Sequence, residues 1–80
     1  MQLLVKSLPI QAHGSNYSVN VYTDGESYSV RPYLNGKPVA DGLCVTREVN
    51  MQFQAQHGYP MQDHLIEEVT EAIKAGRFAA

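Results

Sequence analysis

Between residues 17 and 34, apolar and polar side chains alternate on either side of Asp24-Gly25. That pair is favoured in the two-residue type I′ turn, whose central positions both need positive φ. The pattern predicts a tight hairpin in which Thr23 faces Glu26, Val21 faces Tyr28, Val19 faces Val30 and Tyr17 faces Pro32. Away from the turn that face is apolar. The opposite face pairs Tyr22 with Ser27, Asn20 with Ser29 and Ser18 with Arg31, and is polar throughout. Because strand side chains alternate with period two, a slip of one residue would exchange the faces. One face is therefore specified for a core and the other for water or a partner.

Upstream, residues 3–8 are rich in branched apolar side chains and predict a first strand closed by Pro9, with Ile10 extending it past a kink. The Gly, Ser and Asn of residues 11–16 predict a loop in which His13 is simply solvated. Downstream, Asn35-Gly36 is a second turn signal and predicts that the meander continues through residues 37–40. Two such hairpins cannot share one middle strand as they stand. The first aims the N–H and C=O groups of Val30 and Pro32 at one neighbour, and the second aims them at the other. The expected resolution is a bulge at residues 31–33 or a longer second loop. Asp41-Gly42 would put a charge on the apolar face of a straight fourth strand, so a bulge or kink is expected there as well.

From Leu43 onward the chain carries its longest alternation. Leu43, Val45, Val49, Met51, Phe53 and Ala55 share one parity against Cys44, Thr46, Glu48, Asn50 and the glutamines. A strand is the favoured reading, bent near residues 46–48 because the whole exceeds the usual ~3–10 residues. A helix after Thr46 is its rival, supported by the spacing of Val49 and Phe53. The last element is plainer: Pro60 suits a helix start, Met61, Leu65, Ile66, Val69, Ala72 and Ile73 recur at helical spacing, and Gly76 supplies the stop. Asp63 and the pair Lys74 and Arg77 complement the two ends of the helix dipole, and Phe78 is placed to fold back on the last turn. The predicted class is α+β: an antiparallel β-meander of about four strands with one C-terminal amphipathic helix packed on one face, in a single domain over residues 1–80.

Composition narrows the chemistry. Eighty residues support one small core, burying only about 60–65% of the unfolded surface. The formal net charge of −2 gives no global attraction to phosphate and disfavours nucleic acid. A single cysteine, Cys44, excludes an intramolecular disulfide and suits a reducing cytoplasm. The apolar run before Lys6 is too short for a signal peptide, and no run is long enough to span a bilayer, so a soluble cytoplasmic protein without membrane contact is expected.

The open face offers Tyr22, Arg31 and Tyr33 as stacking surface with a cation, the elements by which sheets hold single-stranded nucleic acid. Tyrosines are equally ordinary strand residues. The bases Lys6, Arg31, Lys37 and Arg47 are read as scattered solvated charges, since alternation separates Arg31 from Arg47. His64 shares a helix face with Glu67 and Glu68, and His57 is near in sequence. Spacing guarantees only two ligands, so no metal and no other cofactor is expected. Cys44 has no motif around it, and no phosphate loop, paired-carboxylate or nucleophile-elbow signature is present, so no catalysis is expected. Lys6, Pro9, Pro32 and Pro38 look like guards on sheet edges. Residues 52–56, read as an edge strand, have none and invite pairing with a second copy. The functional expectation is a non-catalytic interaction module that binds another protein or itself, as a homodimer, through Tyr22, Arg31 and Tyr33 or through the edge at Met51 and Phe53. Single-stranded nucleic-acid binding is the alternative.

Overall fold

In the computed structural model, which describes residues 2–78, five antiparallel strands precede two helices. The strands are β1 (Leu3–Ala12), β2 (Ser15–Thr23), β3 (Ser27–Leu34), β4 (Lys37–Pro38) and β5 (Leu43–Thr46), and the helices are α1 (Arg47–His57) and α2 (Met61–Lys74). The sheet runs β1-β2-β3, and β4 and β5 follow one another along the free side of β3. The α+β class and the antiparallel meander agree with the sequence. The expected four strands become five because the last one is broken, and the expected single helix becomes two.

The apolar face forms as its alternation requires. Val19, Val21 and Val30 are fully or almost fully buried, joined by Tyr17, Pro32 and Val45, and α2 lays Leu65, Val69 and Ile73 over them. These three α2 positions recur at i, i+4 and i+8, one stripe of the helix. Phe78 does fold back against the core, as its position after Gly76 suggested. The Cα atoms extend over 38 × 28 × 16 Å, and the short dimension holds one sheet and one helix layer, with no second layer among the described residues on the other side.

The first hairpin corrects the expected register without exchanging the faces. Val21 pairs with Val30, Val19 with Pro32 and Tyr17 with Leu34, so each partner lies two residues further along than predicted. Its turn is centred on Gly25-Glu26 rather than Asp24-Gly25. Gly25 has φ +94°, whereas Asp24 and Glu26 do not have positive φ, so this is not the I′ turn. Asp24 acts instead as the turn's acceptor: its Oδ1 receives the N–H groups of Glu26 and Ser27 at 2.9 and 2.8 Å. Those donors hold its carboxyl below the usual carboxylate range.

Moving the turn by one residue reverses which groups of β3 face β2, and this removes the conflict seen in the sequence. Asn35 now donates to the Asn16 carbonyl, while the Pro32 carbonyl accepts from Val39 on the other side. Neither a bulge at residues 31–33 nor a longer second loop is required. The second hairpin keeps its predicted turn, with Asn35 at φ +52°, Gly36 at +83°, and Leu34 opposite Lys37. A third turn of the same kind stands where a loop was expected, with His13 at φ +53° and Gly14 at +73° between Ala12 and Ser15. His13 is also more than solvated: its Nε2 lies 3.0 Å from the Lys74 carbonyl and ties this hairpin tip to the end of α2.

Two irregularities shape the edges. Strand β1 continues through Pro9 to Ala12, and its break is a register shift between Leu4 and Lys6. On the far edge the predicted kink at Asp41-Gly42 is real. Val39 bonds to Pro32, yet Leu43 pairs with Val30, so two additional residues are looped between β4 and β5. Gly42 crosses β3 so closely that a Cβ would lie 2.1 Å from the Val30 carbonyl oxygen.

Residues 47–57 form helix α1, against the strand favoured from alternation. Local capping outweighs a period-two pattern that has no sheet neighbour to satisfy it. Thr46 accepts the Val49 N–H at its N-terminus, Gly58 closes the other end at φ +82°, and Glu48 and His57 suit the dipole. The apolar residues of the alternation do not form a buried side: Met51 is 60% exposed, and the buried residue of α1 is Asn50. Asn50 has a structural task. Pro60 begins α2 without a side-chain cap, and the Asn50 Oδ1 accepts the orphan N–H of Gln62 at 2.9 Å.

Candidate functional site

Strand alternation places Ser18, Asn20 and Tyr22 of β2 and Ser29, Arg31 and Tyr33 of β3 on the face that α2 does not cover. The corrected register sets Asn20 opposite Arg31, Ser18 opposite Tyr33 and Tyr22 opposite Ser29. Tyr22 and Tyr33 thus lie on either side of the Asn20–Arg31 pair, with Arg31 the diagonal neighbour of Tyr22, and the two long side chains reach each other across that pair. Their hydroxyls are 2.9 Å apart, with ring centroids separated by 6.3 Å. The Arg31 guanidinium carbon stands 5.5 Å from the centre of the Tyr22 ring, a cation–π distance.

This cluster is linked outward by hydrogen bonds. Asn20 Nδ2 donates to the Tyr22 hydroxyl at 3.4 Å, and Ser7 of β1 donates to Asn20 Oδ1 at 2.7 Å. Hydrogen bonding to Tyr22 raises the ionisation of Tyr33 above the ordinary tyrosine value, assisted by burial and opposed by Arg31. At neutral pH Tyr33 thus remains a neutral donor and acceptor. The Arg31 Nε is shielded from solvent and has no partner among the described residues. What the arrangement supplies is two partly exposed aromatic rings, a charged fork donor and a fringe of short polar side chains.

The other two predicted residues lie elsewhere. Met51 and Phe53 are on α1, so no strand edge exists there, and pairing with a second copy through that edge is ruled out. Phe53 serves the junction of the helices, with its ring 4.2 Å from that of His57, 5.4 Å from Tyr59 and 5.9 Å from His64. His64 does contact Glu68, at 3.2 Å. Among the described residues no three His, Cys, Asp or Glu side chains converge as a metal site would require. Cys44 is exposed on β5, its sulfur 3.8 Å from the Ser29 hydroxyl.

Sequence reasoning placed Asn20 on the open face but missed Ser7 as a member of its network, because the pairing of β1 with β2 had no local signal at residue 7. It also missed a groove of about 840 Å³ between α2 and the broken β4–β5 edge, lined in part by Ala40 and Gly42 of the looped connection. No described helix is long and apolar enough to cross a membrane. Comparison of the chain with family models, curated proteins and solved structures finds no match in any of the three.

Proposed function

We propose that this chain is a small, non-catalytic, cytoplasmic interaction module whose contact surface is the open sheet face, used toward another protein or a second copy of itself. The observation that supports it is the Tyr22–Arg31–Tyr33 cluster on a face left without a covering layer. Tyrosine and arginine are the side chains that concentrate binding energy at protein interfaces. Serine and asparagine around them give adaptable hydrogen bonding, the composition that antibody loops use for recognition. Holding Tyr22 and Tyr33 together before a partner arrives reduces the rotamer entropy lost on binding. Affinity capture with the wild type beside Arg31→Ala, paired with sedimentation of each alone, tests the reading. The variant is expected to lose the captured protein or the self-association while its circular dichroism stays unchanged. An unaltered set of partners and an unaltered mass would overturn it.

Single-stranded nucleic acid is the second reading, favoured by the guanidinium over the Tyr22 ring, with the Tyr33 ring next to it. One arginine on a chain of net charge −2 is little for a phosphate backbone. Salt-sensitive binding to mixed-sequence oligonucleotides, abolished in Arg31→Ala, would establish it in place of the protein partner.

A further inference from the structure

The groove between α2 and the broken edge carries its own chemistry, independent of the open face. Its accessible apolar lining is Leu43, Ala72, Ala75 and Phe78, all exposed or half-buried, with Pro32 and Val69 buried at its base. Its rim on the α2 side holds Glu67, Glu68 and Glu71, all exposed. Arg77 is the one cation lining it, near the far end beside Phe78. Glu68 is engaged with His64, while Glu67 and Glu71 make no ion pair among the described residues. A groove of about 840 Å³ is within the size range of pockets that enclose ligands.

We infer that this groove takes a short segment of another protein in which apolar side chains alternate with lysine or arginine. Charge complementarity selects the occupant. Three carboxylates against one guanidinium leave a negative rim beside an apolar lining, which repels acidic segments and favours a basic one whose apolar residues cover Leu43 and Phe78. A purely polar cation would leave the lining wet, and a purely apolar segment would leave the carboxylates unmatched.

The test is an NMR titration of isotope-labelled protein with a synthetic peptide alternating leucine and lysine. Control peptides carry glutamate in place of lysine, or serine in place of leucine. The leucine–lysine peptide is expected to shift resonances of residues 40–43 and 64–75 and to weaken with salt. The Glu67→Gln/Glu68→Gln/Glu71→Gln variant, whose changes are all on the exposed side of α2, is expected to lose about tenfold or more in affinity. Arg31→Ala is expected to leave this titration untouched, which separates the groove from the open face. Absence of binding, equal binding of the glutamate peptide, full affinity in the triple variant, or shifts centred on residues 18–33 would each overturn the inference.

Discussion

The two faces of one sheet are built from alternate residues of the same strands, yet they are held by different forces. On the covered face Val19, Val21 and Val30 meet Leu65, Val69 and Ile73, and the contacts are non-directional burial. On the open face Ser7, Asn20, Tyr22 and Tyr33 are joined by hydrogen bonds with defined donors and acceptors, and Arg31 is stacked on Tyr22. Burial of apolar area supplies most of the stability of a domain, whereas exposed polar contacts supply a net of about 1 kcal/mol each or less. The contrast teaches a division of labour: folding belongs to one face, and the other is left to directional polar contacts.

The contrast can be attacked at several strengths. Ile73→Ala should cost about 2–5 kcal/mol by urea unfolding, since it empties a fully buried position of the core. A cost near that of a surface change would show that α2 is not the lid of the apolar face. Gly42→Ala combines a backbone at φ +80° with a direct clash against the Val30 carbonyl. A loss of at least about 1–3 kcal/mol is expected, read as an earlier thermal midpoint, and a wild-type midpoint would remove the close crossing. Asn50→Ala should cost about 1–3 kcal/mol because the Gln62 N–H loses its acceptor. Loss of helical signal without any loss of core burial would localise that effect to the α1–α2 junction.

The open face should answer to pH rather than to packing. Tyr33 ionises above the ordinary tyrosine value of 10.0, so its folded pKa is raised. The stabilisation it gives is therefore fully present below the unfolded value and lost as pH rises through the folded one. Tyr33→Phe should flatten this alkaline loss while changing neutral-pH stability little, and an unchanged alkaline profile would contradict the Tyr22–Tyr33 bond. Asp24 behaves with the opposite sign: its lowered pKa gives stability present above the usual carboxylate range and lost as pH falls through the folded value.

Period and turn chemistry made much of this legible. The faces of β2 and β3, the stripe of α2, the Asn35-Gly36 turn and the kink at Asp41-Gly42 are all written in local sequence. Where reading failed, a competing local interaction won. Asp24 used its carboxylate to cap backbone N–H groups instead of adopting positive φ, and so moved the turn by one residue. The parity conflict showed that something had to yield, but nothing in residues 17–34 alone says which turn. In residues 47–57 an accidental alternation was preferred to the rival helix after Thr46, and the chain obeyed a Thr46 cap and a Gly58 stop that the reading did not weigh. Of the five candidate site residues, Tyr22, Arg31 and Tyr33 converge because they share a face of paired strands. Met51 and Phe53 depart with the helix. The groove was not legible, since its lining joins a looped connection to a helix distant in sequence.

Urea unfolding of Arg31→Ala tests the division between the faces most directly, with affinity capture by the same sample as its second readout. Stability is expected within about 1 kcal/mol of the wild type, the scale of a partly exposed cation–π contact, together with loss of the bound partner or of self-association. A stability loss as large as that of Ile73→Ala, with binding retained, would contradict the account and make the open face part of the fold rather than its contact surface.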